Sequence, residues 1–250
     1  MIYKTNNVNI NYIDYGSKDG KPIVFLHGWG QNIEMMKYLS ERFKNNRLIV
    51  IDLPGHGQSS VPTYPWTIYE YEEAINNLLE SINVSNPVLI GHSFGGKISI
   101  IYASKHNVDK LVLLASPFKA SKKKNSLKVK VFKTLMKVPL LNKLGEEMKK
   151  HIGSEDYKNA SPVMREILVK HINTDVSNDA SKIKAPTLLI WGTNDEAVPF
   201  EDAFELEKLI EDSAVIPFEG ATHYAYIEHL NEVVRIIKNF IGGKKWNIYF

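Results

Sequence analysis

The chain contains no cysteine in 250 residues, which removes disulfides, thiolate-bound metals and cysteine nucleophiles together. A nucleophile has to be sought among other residue types. No apolar run approaches the roughly 20 residues that a helix needs to cross a bilayer, and the opening Met1-Ile2-Tyr3-Lys4-Thr5 lacks the apolar core of a signal peptide. A cytoplasmic protein is the expectation. The formal net charge of +3 is too small to predict a nucleic-acid partner. No His-Glu-x-x-His or paired-carboxylate pattern offers metal ligands, no Gly-x-Gly-x-x-Gly follows a strand-like run, and there is no Walker loop. Chemistry without a cofactor or metal is therefore expected.

With 44% apolar and 24% charged residues the composition is that of a globular protein, and the length suits one domain with its own core. Short β-rich runs alternate with longer helical patterns, the signature of an α/β fold with a mainly parallel sheet. Strands are expected over 8–15, 23–26, 48–52, 88–91, 111–115, 187–191 and 214–217. The first alternates Val8, Ile10 and Tyr12 with Asn9 and Asn11, as a half-exposed strand in a hairpin with residues 1–5 would. The later ones are continuously apolar, like buried parallel strands. Ala74, Ile75, Leu78, Leu79 and Ile82 recur at helical spacing over 69–82, and Ile98, Ile101 and Tyr102 do so over 94–106. Further helices are expected over 201–210 and 229–241.

The alternation breaks between Pro117 and Ala185. Helices are expected there over 127–137, 140–151 and 163–172, with no strand, so residues 1–117 and 186–250 read as the core and 118–185 as a helical cap insertion. From Phe118 to Ile152 eleven lysines face two glutamates, which leaves the rest of the chain net negative. One reading is an amphipathic cap helix with solvated lysines. The other is a basic face for an anionic membrane surface or anionic substrate.

The strongest chemical signal is Gly91-His92-Ser93-Phe94-Gly95-Gly96, because it follows a strand and opens a helix. So sharp a turn strains the serine backbone and brings positions two residues to either side into collision; glycine at 91 and 95 relieves it. The helix that starts after Ser93 aims backbone N–H groups at the point where negative charge would develop.

Four features in order, His27-Gly28-Trp29-Gly30, then Asp52-Leu53-Pro54-Gly55-His56-Gly57-Gln58-Ser59, then this elbow, then separate loops for an acid and a base, resemble the α/β-hydrolase superfamily over nearly the whole length. The resemblance implies a mainly parallel eight-stranded sheet flanked by helices. It also implies an oxyanion hole formed by the backbone N–H groups of Trp29 and Phe94. His27 is read as a structural brace, and Asp52 as the holder of the Pro-Gly-His-Gly turn.

In the superfamily's chain order the histidine comes last. Glu219-Gly220-Ala221-Thr222-His223 follows the final strand, and of eight histidines only His223 sits at a strand's carboxyl end in that order. His92 is the variable elbow position; His106, His151 and His171 fall on helices remote from strand ends, and His229 opens the last helix. For the acid, Trp191-Gly192-Thr193-Asn194-Asp195 follows the penultimate strand, with Glu196 as the adjacent rival.

The expectation is a serine hydrolase cleaving a carboxylic ester of a small acyl substrate, with Ser93 as nucleophile, His223 as base and Asp195 as the orienting acid. Serine at the elbow argues against superfamily members with a carboxylate nucleophile. Thioesterase, amidase, carbon–carbon bond hydrolase and perhydrolase activities stay open, as does a ligand receptor that has lost turnover.

Overall fold

The apolar runs pair into a single eight-stranded sheet of order β1-β2-β4-β3-β5-β6-β7-β8. The computed structural model describes residues 1–5, 7–120 and 160–243. The strands are β1 (Ile2–Lys4), β2 (Asn9–Gly16), β3 (Pro22–Leu26), β4 (Arg47–Ile51), β5 (Val88–His92), β6 (Lys110–Leu114), β7 (Thr187–Gly192) and β8 (Ser213–Phe218). Only β2 runs against the others, antiparallel to both β1 and β4, and it is the strand whose sequence alternates. The remaining pairings are parallel, in the register Ile23↔Val88, Val88↔Lys110, Leu111↔Thr187 and Thr187↔Ser213. The carboxyl ends of β3 to β8 therefore share one edge of the sheet, where open α/β folds hold their ligands.

Alternate strand residues face two apolar layers. Val24, Leu26, Ile49 and Leu89 pack with the helices α2 (Ile68–Ser81) and α3 (Phe94–Lys105) on one side. Ile23, Phe25, Val50 and Ile90 pack with α1 (Ile33–Ser40) and the C-terminal helix on the other. Helix α2 begins at a reciprocal cap, in which the Thr67 hydroxyl accepts from the Glu70 N–H and the Glu70 carboxylate from the Thr67 N–H. Helix α3 is buried on nearly every side, as its mostly small and apolar residues allow, with Lys97 the one charged side chain among the buried positions.

Beyond residue 159 come α4 (Pro162–Asn173), α5 (Ser177–Ala180), α6 (Glu201–Glu207), α7 (Ala225–Glu228) and α8 (Leu230–Ile241). Helix α4 starts where Ser161 caps the Met164 N–H and Pro162 takes the first turn. The helices expected over 127–137 and 140–151, the lysine cluster 122–124 and the tail 244–250 lie outside the described residues. Two expectations need correction. Helix α6 ends at Glu207 rather than 210, where the Ser213 hydroxyl lies 3.1 Å from the Glu207 carbonyl and 2.8 Å from that of Ile210. Helix α1 was absent from the expected set; Asn32 caps it by accepting the Glu34 N–H, and Ile33, Met36 and Leu39 bury its inner face. Among the described residues no helix is long and apolar enough to cross a membrane.

Candidate active site

Ser93 stands between β5 and α3 with φ 50° and ψ −112°, a left-handed conformation that costs a non-glycine residue of order 1–3 kcal/mol. Its surroundings enforce this. The Ser93 N–H donates to Leu114 O and the Gly95 N–H to His27 O, pinning the turn to β6 and to the end of β3. A Cβ at Gly95 would lie 2.5 Å from Leu26 O, and one at Gly91 would lie 2.4 Å from Ser99 Oγ. The turn thus thrusts the serine side chain out at the sheet edge while its flanks have room only for hydrogen.

His223 follows β8, and its Nδ1 lies 2.7 Å from Oδ2 of Asp195, which follows β7. A carboxylate only accepts, so Nδ1 carries the proton and Nε2 keeps its lone pair. The other carboxylate oxygen of Asp195 accepts the N–H groups of Ala197 and Val198, each at 2.8 Å, and the side chain is fully buried. Glu196 is exposed and, among the described residues, makes no such bond. Ser93 and His223 line one cavity of about 740 Å³, together with Trp29, Lys97, Leu168 and His171.

Trp29, on the loop after β3, lines the same cavity, and among the described residues its N–H has no hydrogen-bond partner. Phe94 is the first residue of α3, where a helix N–H has no intrahelical acceptor. The Trp29 side chain is half-buried and packs edge-on against His56 (4.8 Å) and Phe94 (5.2 Å).

The histidines that do not face Asp195 have separate duties. His27 is fully buried; its Nδ1–H donates to Gly28 O at 2.7 Å and its Nε2 accepts the Leu53 N–H at 2.9 Å, joining the loops after β3 and β4. Burial pushes its pKa down to about 3, so it stays neutral. Asp52 binds the same region by accepting from Ile33 N, Gln58 N and Asn11 Nδ2. His106 bonds buried Glu72 of α2 at 2.7 Å, and the His229 ring lies tilted against that of Phe218, with centroids 5.1 Å apart. His151 lies outside the described residues.

The sequence pattern missed four residues here. His92 is completely buried; its Nε2–H donates to the backbone carbonyl of His223 at 3.1 Å, and its Nδ1 lies 3.2 Å from Gln31 Oε1, which accepts the Gly28 N–H. It therefore bonds the His223 loop and packs against Gln31 of the Trp29 loop. Burial, with His223 adjacent, pushes its pKa down to about 3. His171 is the clearest correction: although on a helix and far from strand ends in sequence, it reaches the cavity wall, 4.6 Å from the Phe94 ring. Lys97 and Gln31 also line the cavity. A lysine inside an otherwise apolar helix was the one legible signal among them.

Residues 21–136 match the family model described as alpha/beta hydrolase fold, and residues 169–243 that of TAP-like protein. The chain belongs to the α/β-hydrolase superfamily. Among the relatives of this α/β-hydrolase is the AB hydrolase superfamily protein YisY of Bacillus subtilis, 29% identical over 88% of this chain and 91% of that one. Lipase 1 of Psychrobacter immobilis is 28% identical over 92% of this chain and 79% of that protein. The crystal structure of a bromoperoxidase from Bacillus anthracis superposes with a TM-score of 0.75 at 25% identity, covering 94% of this chain and 96% of the other. These likenesses place the chain among the hydrolases of the superfamily.

Proposed function

We propose that the protein is a serine hydrolase that cleaves a carboxylic ester of a small molecule through an acyl-enzyme at Ser93. The observation that carries this reading is the 2.7 Å bond from His223 to buried Asp195, beside the cavity onto which strained Ser93 opens. Ser93 Oγ attacks the ester carbonyl while His223 Nε2 takes its proton; the oxyanion is held by the Trp29 and Phe94 amides. His223 then returns the proton to the leaving alcohol, and Asp195 stabilises the transient imidazolium. Water, activated by the same histidine, repeats the sequence on the acyl-enzyme.

Residues 118–185 act in this reading as a cap over the cavity, which accords with Leu168, His171 and Ile172 of α4 in its wall. The lysine-rich part is read as the cap's solvated face. Salt-sensitive co-sedimentation with anionic but not neutral vesicles would reassign it to membrane contact.

The test is labelling by a fluorophosphonate probe alongside turnover of an ester and thioester panel, by wild type and Ser93→Ala. Wild type labels and hydrolyses esters, and the variant does neither. A wild-type protein inert to both, beside an active control esterase, overturns the reading in favour of a receptor. The likeness to a bromoperoxidase makes perhydrolysis the second reading, in which hydrogen peroxide replaces water at the acyl-enzyme; peracid formation from acetate and peroxide tests it.

A further inference from the structure

Lys97 lies one helical turn after Ser93 on α3 and is about 1% exposed. Its Nζ donates to the carbonyls of His171 at 2.9 Å and Thr174 at 2.6 Å, at the C-terminal end of α4. These bonds use two of the three N–H groups and set the ammonium at the negative end of a helix dipole, but they supply no opposite unit charge. Among the described residues no carboxylate bonds Lys97. Asp202 pairs with Lys119 and Asp195 with His223; Asp175, which accepts from the Ser177 N–H, acts on Lys97 through space and raises its pKa, without a hydrogen bond to it.

Next to it, the Nδ1 atom of His171 is buried and has no partner among the described residues. Burial and the neighbouring Lys97 hold that imidazole neutral, so it has one N–H to give. Burial also lowers the Lys97 amine to about 8, which leaves it largely protonated at neutral pH. Both side chains belong to the wall of the cavity that Ser93 and His223 share. A buried cation with no carboxylate bonded to it is costly, and a bound molecule that places one against the third N–H recovers part of that cost.

We propose that Lys97 is the counter-charge for a carboxylate on the substrate, so that the preferred ester is a half-ester of a short dicarboxylic acid. The proposal rests on the hydrolase reading above. Ser93 immediately precedes α3, Lys97 lies in its first turn, and both line the same cavity. A short chain then spans from a carboxylate on Lys97 to a carbonyl on Ser93.

The experiment compares kcat/KM for monomethyl glutarate and monomethyl adipate with that for methyl esters of monocarboxylic acids of matched length, using wild type, Lys97→Met and Lys97→Arg. A charge-assisted contact predicts a preference for the half-esters of about ten- to a hundredfold in wild type. The preference disappears in Lys97→Met and is partly kept in Lys97→Arg. Weakened docking of α4 lowers both substrate classes alike and leaves the ratio unchanged. A wild-type ratio of one or less overturns the proposal, as does a ratio that survives Lys97→Met; if that variant does not fold, the wild-type ratio decides. Should wild type neither label with fluorophosphonate nor turn over any ester, the hydrolase reading fails. The subsite is then judged by thermal melting with glutarate against neutral valeramide. A rise in Tm with glutarate that Lys97→Met lacks supports it, and no rise overturns it.

Discussion

Acid should loosen the loops around Ser93 through two buried histidines. His27 and His92 are both neutral in the folded chain, with pKa values pushed down to about 3 by burial, whereas an unfolded histidine titrates near 6.5. Below about pH 6.5 the unfolded chain takes up a proton at each position and the folded chain does not. Stability is therefore unaffected by these groups above about pH 6.5 and is lost as the pH falls from there toward about 3. At about pH 5 each group has lost about 2 kcal/mol, or about 4 kcal/mol for the pair, a large share of the 5–15 kcal/mol typical of a domain. His56 and His171 are also shifted down by burial and add to the loss in any variant that retains them. The clean measurement is thus a difference. Urea unfolding at about pH 7.5 and about pH 5 is compared for wild type and His92→Gln, which starts less stable because the bridge to the His223 carbonyl is altered. The variant should lose about 2 kcal/mol less than wild type on acidification. Equal losses in the two proteins would refute the reasoning, because His92 would then not be a buried neutral group.

Three further outcomes are expected. Asp195→Asn should lower kcat by about three to four orders of magnitude with little change in KM, since the amide no longer fixes the His223 tautomer; steady-state ester hydrolysis reads it, and a loss below tenfold would contradict the role assigned to the Asp195–His223 bond. Gly95→Ala should destabilise by about 2 kcal/mol or more and abolish fluorophosphonate labelling, because the new Cβ meets backbone oxygens of Leu26 and His27 at 2.5 and 2.6 Å; denaturation and labelling together check it. Asp52→Ala leaves Ile33 N, Gln58 N and Asn11 Nδ2 without their acceptor, so unfolding should be easier by about 3 kcal/mol or more. Asp52→Ala as stable as wild type would remove Asp52 as the anchor of that turn.

Much of the architecture was legible because buried parallel strands announce themselves. The runs at Ile23, Leu48, Val88, Leu111 and Thr187 are continuous, apolar and β-rich, and each became a strand within one residue of its expected start. Helix α1 escaped because it is short and mixes Glu34, Lys37 and Tyr38 with its buried positions, so its periodicity is weak over eight residues. The end of α6 escaped because Ser213, a residue of the next strand, bonds the helix's last carbonyl, at Glu207, and that of Ile210 just beyond it. Sequence periodicity carries no trace of such a partner.

What the sequence by itself determined is the elbow and the order of the groups after it. A Gly-x-Ser-x-Gly pattern between strand and helix has few backbone solutions, and strand ends can be counted along the chain. Only the tertiary structure shows that Asp195, and not Glu196, bonds His223. Neighbours on one turn point in different directions, and the choice depended on which carboxylate could accept the Ala197 and Val198 amides while facing a loop 28 residues away. It also decided that His171, 78 positions beyond Ser93 in the sequence, shares the cavity wall with it, because α4 folds back onto α3 and Lys97 clasps the helix end. Local pattern fixes backbone shape. Which distant side chains meet is set by packing and by the need of each buried polar group for a partner.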